Sequence, residues 1–204
     1  MRLPSHFYAM ADGSGGRDPV ALARTILSAG ARIVQLRLKD ASARDFLAAA
    51  REIAPLCRER GAIFIVNDRL DIAILSGADG VHLGQDDLPL DAARRIAPPG
   101  MIIGVSTHNA SQAVAAESGG ADYVGLGPIF AGGLKANPAG IGLDAIRAVR
   151  AKVKIPIVAI GGITEVTLPE VLAAGADAAA IITDVMRAPD VSAKVRSILG
   201  LRAR

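Results

Sequence analysis

Four times along the chain a stretch with helical periodicity ends in a small residue, glycine and alanine, then passes directly into a short apolar run. The copies read SAGARIVQL from Ser28, SGADGVHL from Ser76, GGADYVGL from Gly119 and AGADAAAI from Ala174. The glycine suits the position just past a helix, where the backbone takes a positive φ, and the alanine leads into a buried strand. Between the copies lie three further β-rich runs, AIFIV from Ala62, MIIGV from Met101 and PIVAI from Pro156, and HFYAM from His6 opens the series. Together these make eight strands. A helical pattern follows each of them, over 19–29, 43–60, 70–76, 88–97, 110–119, 143–152, 164–174 and 190–199.

Continuous apolar strands alternating with amphipathic helices indicate parallel strands covered by helices. Eight such units with no gap for a second domain predict closure into a single (β/α)₈ TIM barrel, one domain spanning residues 1–204. An open doubly wound sheet is the structural alternative.

Composition agrees with that picture. Apolar residues make up 51% of the chain but aromatics only 3%, with no Trp, so Ala, Val, Ile and Leu must build the core. A chain of this length buries roughly 70% of the surface its unfolded form exposes, enough to fold without disulfides or structural metals. Cys57 is the single cysteine and falls in a helical stretch, which reads as core packing and excludes an internal disulfide. The net charge of +3 is mild and the basic residues are scattered, which argues against nucleic acid and suits anionic small molecules. The opening MRLPSHFYAMADG lacks the apolar stretch of a signal peptide, and nothing approaches the roughly 18 apolar residues of a membrane span, so a cytoplasmic, membrane-free protein is expected. Ala-rich helical exteriors suit a monomer or a homodimer.

In this fold chemistry sits where the strands run into the following loops, and the polar residues collect at those ends. After the second strand come Gln35, Arg37 and Lys39, spaced by two, so all three face one side of an extended segment. A planar guanidinium beside a compact ammonium suits a diphosphate. Asn67, Asp68 and Arg69 follow the third strand, and His82 to Asp87 close the fourth. Carboxylates on two adjacent strand ends can share one Mg²⁺, with substrate phosphates completing the shell; Asp68 and Asp87 are the expected ligands. Asp86 reads as solvent-facing or as a helix cap, Asp71 and Asp79 as poorer ligands, and His82 as a packed residue rather than a ligand or base.

After the fifth strand, Ser106 is the expected ligand contact, while Thr107 and Asn109 read as caps for the next helix. The sixth strand leads into the longest loop, 129–142, rich in Gly, Ala and Pro, with Lys135 as its single charge. A loop of that kind on the active face is a candidate lid that brings Lys135 to an anion. Gly161 and Gly162 end the seventh strand, and Ile182 and Thr183 the eighth. Loops at these two ends form the usual phosphate cup of such barrels, and a Cβ there would hold the backbone off the phosphate oxygens.

With these residues assembled, the chain resembles thiamine phosphate synthases and their thiazole tautomerase relatives nearly end to end. The resemblance rests on QLRLK (35–39), VNDR (66–69), GVHLGQDD (80–87), GVSTH (104–108), YVGLGPIF (123–130), AIGGI (159–163) and the final GAD…IIT (175–183), in this order and spacing. It implies a Mg²⁺-dependent transferase in which an aminopyrimidine methyl diphosphate loses pyrophosphate and the nitrogen of a thiazole phosphate attacks the cation left behind. By the same resemblance Gln35, Arg37, Lys39 and Asn67 hold the pyrimidine diphosphate, and Asp68 and Asp87 bind Mg²⁺. Ser106 contacts the pyrimidine or its diphosphate, Lys135 the pyrophosphate, and Gly162, Ile182 and Thr183 the thiazole phosphate. Arg37, Lys39 and Lys135 carry the catalysis, by neutralising charge on the leaving group.

One segment departs from the family pattern. Where the family usually reads Pro-Thr-x-Thr-Lys, this chain reads Ala131-Gly132-Gly133-Leu134-Lys135, which keeps the lysine and lacks both hydroxyls. Two other readings therefore stand beside the synthase. One is a thiazole tautomerase, although that branch usually carries a His where this chain has Pro128. The other is a non-catalytic paralogue that binds thiamine phosphate. A flavin or sugar-phosphate barrel enzyme is a remoter option, since a glycine-pair cup is widely shared.

Overall fold

The computed structural model describes residues 2–131 and 140–201. Eight parallel strands close into a barrel in chain order: β1 Phe7–Asp12, β2 Ile33–Arg37, β3 Ile63–Asn67, β4 Gly80–Leu83, β5 Ile102–Thr107, β6 Tyr123–Leu126, β7 Ile157–Ile160 and β8 Ala178–Ala180, with β8 pairing back onto β1. The helices are α1 Pro19–Ser28, α2 Ala43–Glu59, α3 Leu70–Ser76, α4 Leu90–Ile96, α5 Ala110–Ser118, α6 Gly142–Arg150, α7 Leu168–Ala173, α8 Thr183–Met186 and α9 Val191–Gly200. No described helix is long and apolar enough to cross a membrane.

The barrel expected from the pattern is present, with three adjustments. β1 runs on to Asp12, two residues past the expected apolar stretch, because Asp12 stays in register with Arg37 of β2. A ninth helix, the four-residue α8, follows β8 directly; one turn is too short to show a period in sequence. α4 and α7 start later than expected, at Leu90 and Leu168, behind Pro89 and Thr167.

Alternation along each strand divides the core into two layers. Phe7, Val34, Phe64, Val81, Ile103 and Val124 point outward and pack under the helices. Tyr8, Met10, Ile33, Ile65, Tyr123 and Val158 point inward and fill the barrel. The barrel is therefore packed solid, as this fold requires. Cys57 is buried among the outer layer, as its helical setting suggested.

The four repeated glycines, Gly30, Gly77, Gly120 and Gly175, all take positive φ, from 69° to 109°. In three copies the aspartate after the alanine closes the barrel floor. Asp79, Asp122 and Asp177 each accept the backbone N–H of the preceding strand, from Phe64, Ile103 and Ile157, all at 2.8 Å. Arg94 and Arg150 pair with Asp122 and Asp177, at 2.5 and 2.9 Å. Asp79 is thus a floor clamp far from any ligand at the mouth. In the first copy Arg32 takes the equivalent place and donates to the carbonyl of Arg60 at 2.7 Å.

Gly104 has a different reason to be glycine. A Cβ there would lie 2.0 Å from the Tyr123 ring, which crosses the barrel from the neighbouring strand. Gly104→Ala is expected to destabilise the protein by roughly 1–3 kcal/mol through overpacking. Gly200→Ala, at a position with no atom within 4 Å, is expected to be neutral or slightly stabilising. Urea denaturation of both variants checks the contrast, and equal midpoints would contradict the packed-barrel account.

Candidate active site

The mouth of the barrel is built from the last inward residue of each strand and the loop behind it. On β1 and β2 the registered pair Asp12 and Arg37 forms an ion pair of 2.5 Å, with the Asp12 side chain fully buried and Arg37 14% exposed. Burial acts to raise the Asp12 carboxyl, but hydrogen bonds from Ser14 and Arg37, with the charge of Arg37, outweigh it and hold the carboxyl below its usual value. One guanidinium N–H is thereby committed and aims the fork, and among the described residues no other side chain takes its remaining donors. Asp12 was not among the expected site residues, because the apolar run of the first strand ends before it.

Lys39 lies just past β2 and is exposed, while Gln35, two residues back from Arg37, is 4% exposed and donates to the Tyr8 hydroxyl at 2.9 Å. The spacing by two thus descends from an open mouth into the barrel. Asn67 ends β3, is 9% exposed and pairs in register with His82.

Asp68 is the only non-glycine residue with a positive φ among the described residues, 64°. Backbone of this kind persists only where its surroundings hold it, and it gathers at functional positions. Here the Asp68 N–H donates to the carbonyl of His82 at 2.8 Å, which turns the carboxyl towards β4. There it meets Asp87, whose carboxylate accepts the Gly84 N–H at 2.6 Å. Arg69 turns outward to Asp71 at 2.5 Å. Asp86 is exposed and caps nothing, since α4 starts behind Pro89 without a side-chain cap.

Burial, then the hydrogen bond and like charge of Asp87, raise the Asp68 carboxyl from 3.8 to about 6, against the opposing pull of Lys39 and Arg37. Two carboxyls held this close, with cations to one side, are a fitting donor set for a hard divalent cation. Among the described residues no cluster of three or more His, Cys, Asp or Glu is present. A pair of carboxylates matches Mg²⁺, which takes one or two from protein and the rest from water and phosphate.

Beneath this mouth runs a polar chain. Tyr8 and Tyr123 share a hydrogen bond of 2.7 Å, Tyr123 meets His82 Nδ1 at 2.9 Å, and His82 Nε2 meets Ser106 Oγ at 2.9 Å. His82 is indeed packed, stacked on the Tyr123 ring with centroids 5.5 Å apart. Its burial pushes its pKa down to about 4 despite the nearby Asp87 charge, so it is neutral at ordinary pH. Burial likewise raises the Tyr123 hydroxyl well above its usual range. Ser106 lies near the end of β5 and is partly exposed. Asn109 caps α5 through the Gln112 N–H at 2.9 Å, whereas Thr107 does not cap and donates to the Gly125 carbonyl at 3.1 Å, because it points outward from β5.

Across the mouth Gly161 and Gly162 take φ of 97° and 65°. A Cβ on Gly161 would lie 2.5 Å from Pro128 and one on Gly162 2.8 Å from Phe130, so both glycines also admit the segment leaving β6. That segment is tied to them, with Phe130 N–H donating to the Gly161 carbonyl at 3.0 Å. Ile182 packs into the barrel, and Thr183 opens α8, which has no side-chain cap. Asp184 accepts the Glu165 N–H at 2.9 Å, while Lys194 pairs with Glu165 and Asp184 at 2.9 and 3.5 Å. This clamp joins the loops after β7 and β8 and was invisible in sequence, its members lying on three separate elements. Lys135, with residues 132–139, lies outside the described residues.

Because the folded protein holds the Asp68 proton that the unfolded chain releases, this group makes stability fall as pH rises from about 4 to about 6. Asp87→Asn removes the like charge and is expected to reduce that fall by an amount on the order of 1 kcal/mol. Melting temperatures of both proteins over this range, in chelator-treated buffer, test it; parallel curves would contradict the coupling.

Comparisons with known proteins cover nearly the whole chain. A sequence profile described as thiamine monophosphate synthase matches residues 7–185. A thiamine-phosphate synthase of Methanospirillum hungatei is 52% identical over 188 residues, 91% of each chain. One of Moorella thermoacetica is 49% identical over 185 residues, 90% of this chain and 88% of its own. Among solved structures, a thiamine phosphate pyrophosphorylase from Pyrococcus furiosus superposes with a TM-score of 0.87 at 38% identity, covering 94% of this chain and 92% of that one. On the profile match, these relatives and the shared barrel, the chain belongs to the thiamine monophosphate synthase family.

Proposed function

We propose that the protein is a thiamine-phosphate synthase, a transferase that joins an aminopyrimidine methyl diphosphate to a thiazole phosphate and releases pyrophosphate. The observation that carries this reading is the pairing of two charge systems at one mouth: Arg37, aimed by Asp12 and flanked by Lys39, beside the facing carboxyls of Asp68 and Asp87. The departure of a diphosphate is helped by cationic side chains and by a divalent cation, and this arrangement would suit both.

Asp68 and Asp87 would hold Mg²⁺, which when bound neutralises the diphosphate and helps it leave. Arg37 and Lys39 take up negative charge as the carbon–oxygen bond to pyrophosphate breaks. Asn67 and Ser106 border the pyrimidine, and Gln35 lies beneath them. The backbone at Gly162, Ile182 and Thr183 seats the thiazole phosphate, with the clamp of Glu165, Asp184 and Lys194 holding its two loops together. The thiazole nitrogen then forms its bond to the exposed carbon, and no side chain has to remove a proton. By the family resemblance Lys135, which lies outside the described residues, is assigned to the pyrophosphate. The phosphorylated substrates are the partners of this reading; a cytoplasmic setting and a homodimer accord with it.

Incubation with both substrates and Mg²⁺ is expected to yield thiamine phosphate, and no product after hours would overturn the assignment. Arg37→Ala and Lys135→Ala are each expected to lower kcat about a hundredfold. Asp68→Asn and Asp87→Asn are expected to raise the Mg²⁺ concentration needed for half-maximal rate. Restoring the family hydroxyls with Gly132→Thr and Leu134→Thr together is expected to lower KM roughly thirtyfold, each hydrogen bond to phosphate contributing about 1 kcal/mol. An unchanged KM would show that the substituted loop does not limit the enzyme.

A further inference from the structure

The chain of hydrogen bonds beneath the mouth has a direction, and that direction has a consequence for the ligand. Gln35 Nε2 can only donate, so the Tyr8 hydroxyl accepts from it at 2.9 Å and turns its own hydrogen to Tyr123, 2.7 Å away. Tyr123, having accepted, gives its hydrogen to His82 Nδ1 at 2.9 Å. A neutral imidazole has one acceptor and one donor nitrogen. With Nδ1 accepting, Nε2 must carry the hydrogen and donate it to Ser106 Oγ at 2.9 Å. The hydroxyl hydrogen of Ser106 is then left for the mouth.

The packing shows that the line is built in. Gly104 gives up its Cβ to the Tyr123 ring, and a Cβ on Gly125 would lie 2.9 Å from His82 Cε1. No buried side-chain nitrogen or oxygen among the described residues lacks a partner, so the chain has no loose end inside the barrel.

We propose that Gln35, Tyr8, Tyr123 and His82 act as positioning residues in a one-way hydrogen-bond chain that makes Ser106 a donor to the ligand, so that this position selects a substrate atom bearing a lone pair. The proposal rests on the synthase reading only for the identity of that substrate: the atom is a ring nitrogen or a phosphoryl oxygen of the pyrimidine diphosphate. A ligand presenting only an N–H at the same point could reach the second lone pair of Ser106 Oγ, but it would leave the Ser106 hydrogen without an acceptor. Rejection of that kind is stronger than a hydrophobic pocket achieves.

Reversal of the chain is the test. In Gln35→Glu the introduced carboxylate would accept from Tyr8, turning each hydrogen bond around until Ser106 donates inward to His82 Nε2. Nitrogen-15 NMR of the ligand-free full chain, labelled in its histidine rings, reads the His82 tautomer directly. The expected result is hydrogen on Nε2 in the wild type and on Nδ1 in Gln35→Glu. Adding Tyr123→Phe, which cuts the chain, is expected to abolish any influence of residue 35 on that tautomer. Hydrogen on Nδ1 in the wild type would overturn the proposal even if Gln35→Glu failed to fold, and so would an unchanged tautomer in a folded Gln35→Glu.

At the mouth, Ser106→Ala is expected to weaken binding of one of two probes about tenfold. Loss for inorganic pyrophosphate identifies a phosphoryl oxygen, and loss for the unphosphorylated aminopyrimidine alcohol identifies a ring nitrogen. Unchanged binding of both would overturn the donor role. The NMR arm needs no substrate, so a wild type that makes no thiamine phosphate would sink the synthase reading and leave the polarity of the chain to be judged separately.

Discussion

The Tyr123 ring occupies the space where a Cβ on Gly104 would stand, and much of the molecule is arranged around that exchange. Parallel barrels fill their interiors with side chains from alternate strands, usually branched and apolar. This one, poor in aromatics, spends two tyrosines in the middle instead, and each brings a hydroxyl that needs a partner. The need is met by drawing in His82 and Gln35, and through His82 the core reaches Ser106 at the mouth. Packing and polarity are thus one problem with one solution. The site stands on a rigid floor because that floor is hydrogen-bonded throughout.

Above the floor the mouth balances charge in opposite ways on its two sides. On β1 and β2 a buried carboxylate is compensated by Arg37, so each aims the other and the pair is at rest. Behind β3 and β4 two carboxyls face each other, only partly compensated by Lys39 and Arg37, with Asp68 held in a left-handed backbone to do it. Such an arrangement is unfavourable in isolation, and burial with the like charge raises the Asp68 carboxyl. The opposite wall, from Gly161 to α8, carries no such tension and relies on backbone and a clamp of side chains behind it.

Much of this was legible in the chain because parallel barrels repeat a simple grammar. The small-Gly-Ala steps located half the strands, and the polar residues that followed each strand marked the mouth, with Asp68, Asp87 and Ser106 brought to one end. What escaped had physical reasons. Asp12 hid at the end of a strand whose apolar run stops at Ala11, and its meaning lies in a register with Arg37 that no local pattern encodes. Tyr8 and Tyr123 look like ordinary strand residues, and the bond between them spans 115 positions. Gln35 looks like a third member of an open triplet, until curvature of the barrel buries it. Thr107 looks like a cap because it precedes a helix, yet β5 extends through it and turns it outward.

The aspartates at the opposite end of the barrel hold a further lesson. Asp79, Asp122 and Asp177 repeat one task on β4, β6 and β8, each fastening itself to the strand before it. Six of the eight strands are therefore stitched in pairs, β3 to β4, β5 to β6 and β7 to β8, each pair closed by its own fastener at the end away from the chemistry. A protein assembled from such couplets can exchange the loops of one couplet without loosening its neighbours. The couplet of β5 and β6 has its fastener, Asp122 with Arg94, in place. This is an architecture in which catalytic novelty and mechanical integrity are inherited through different ends of the same strands.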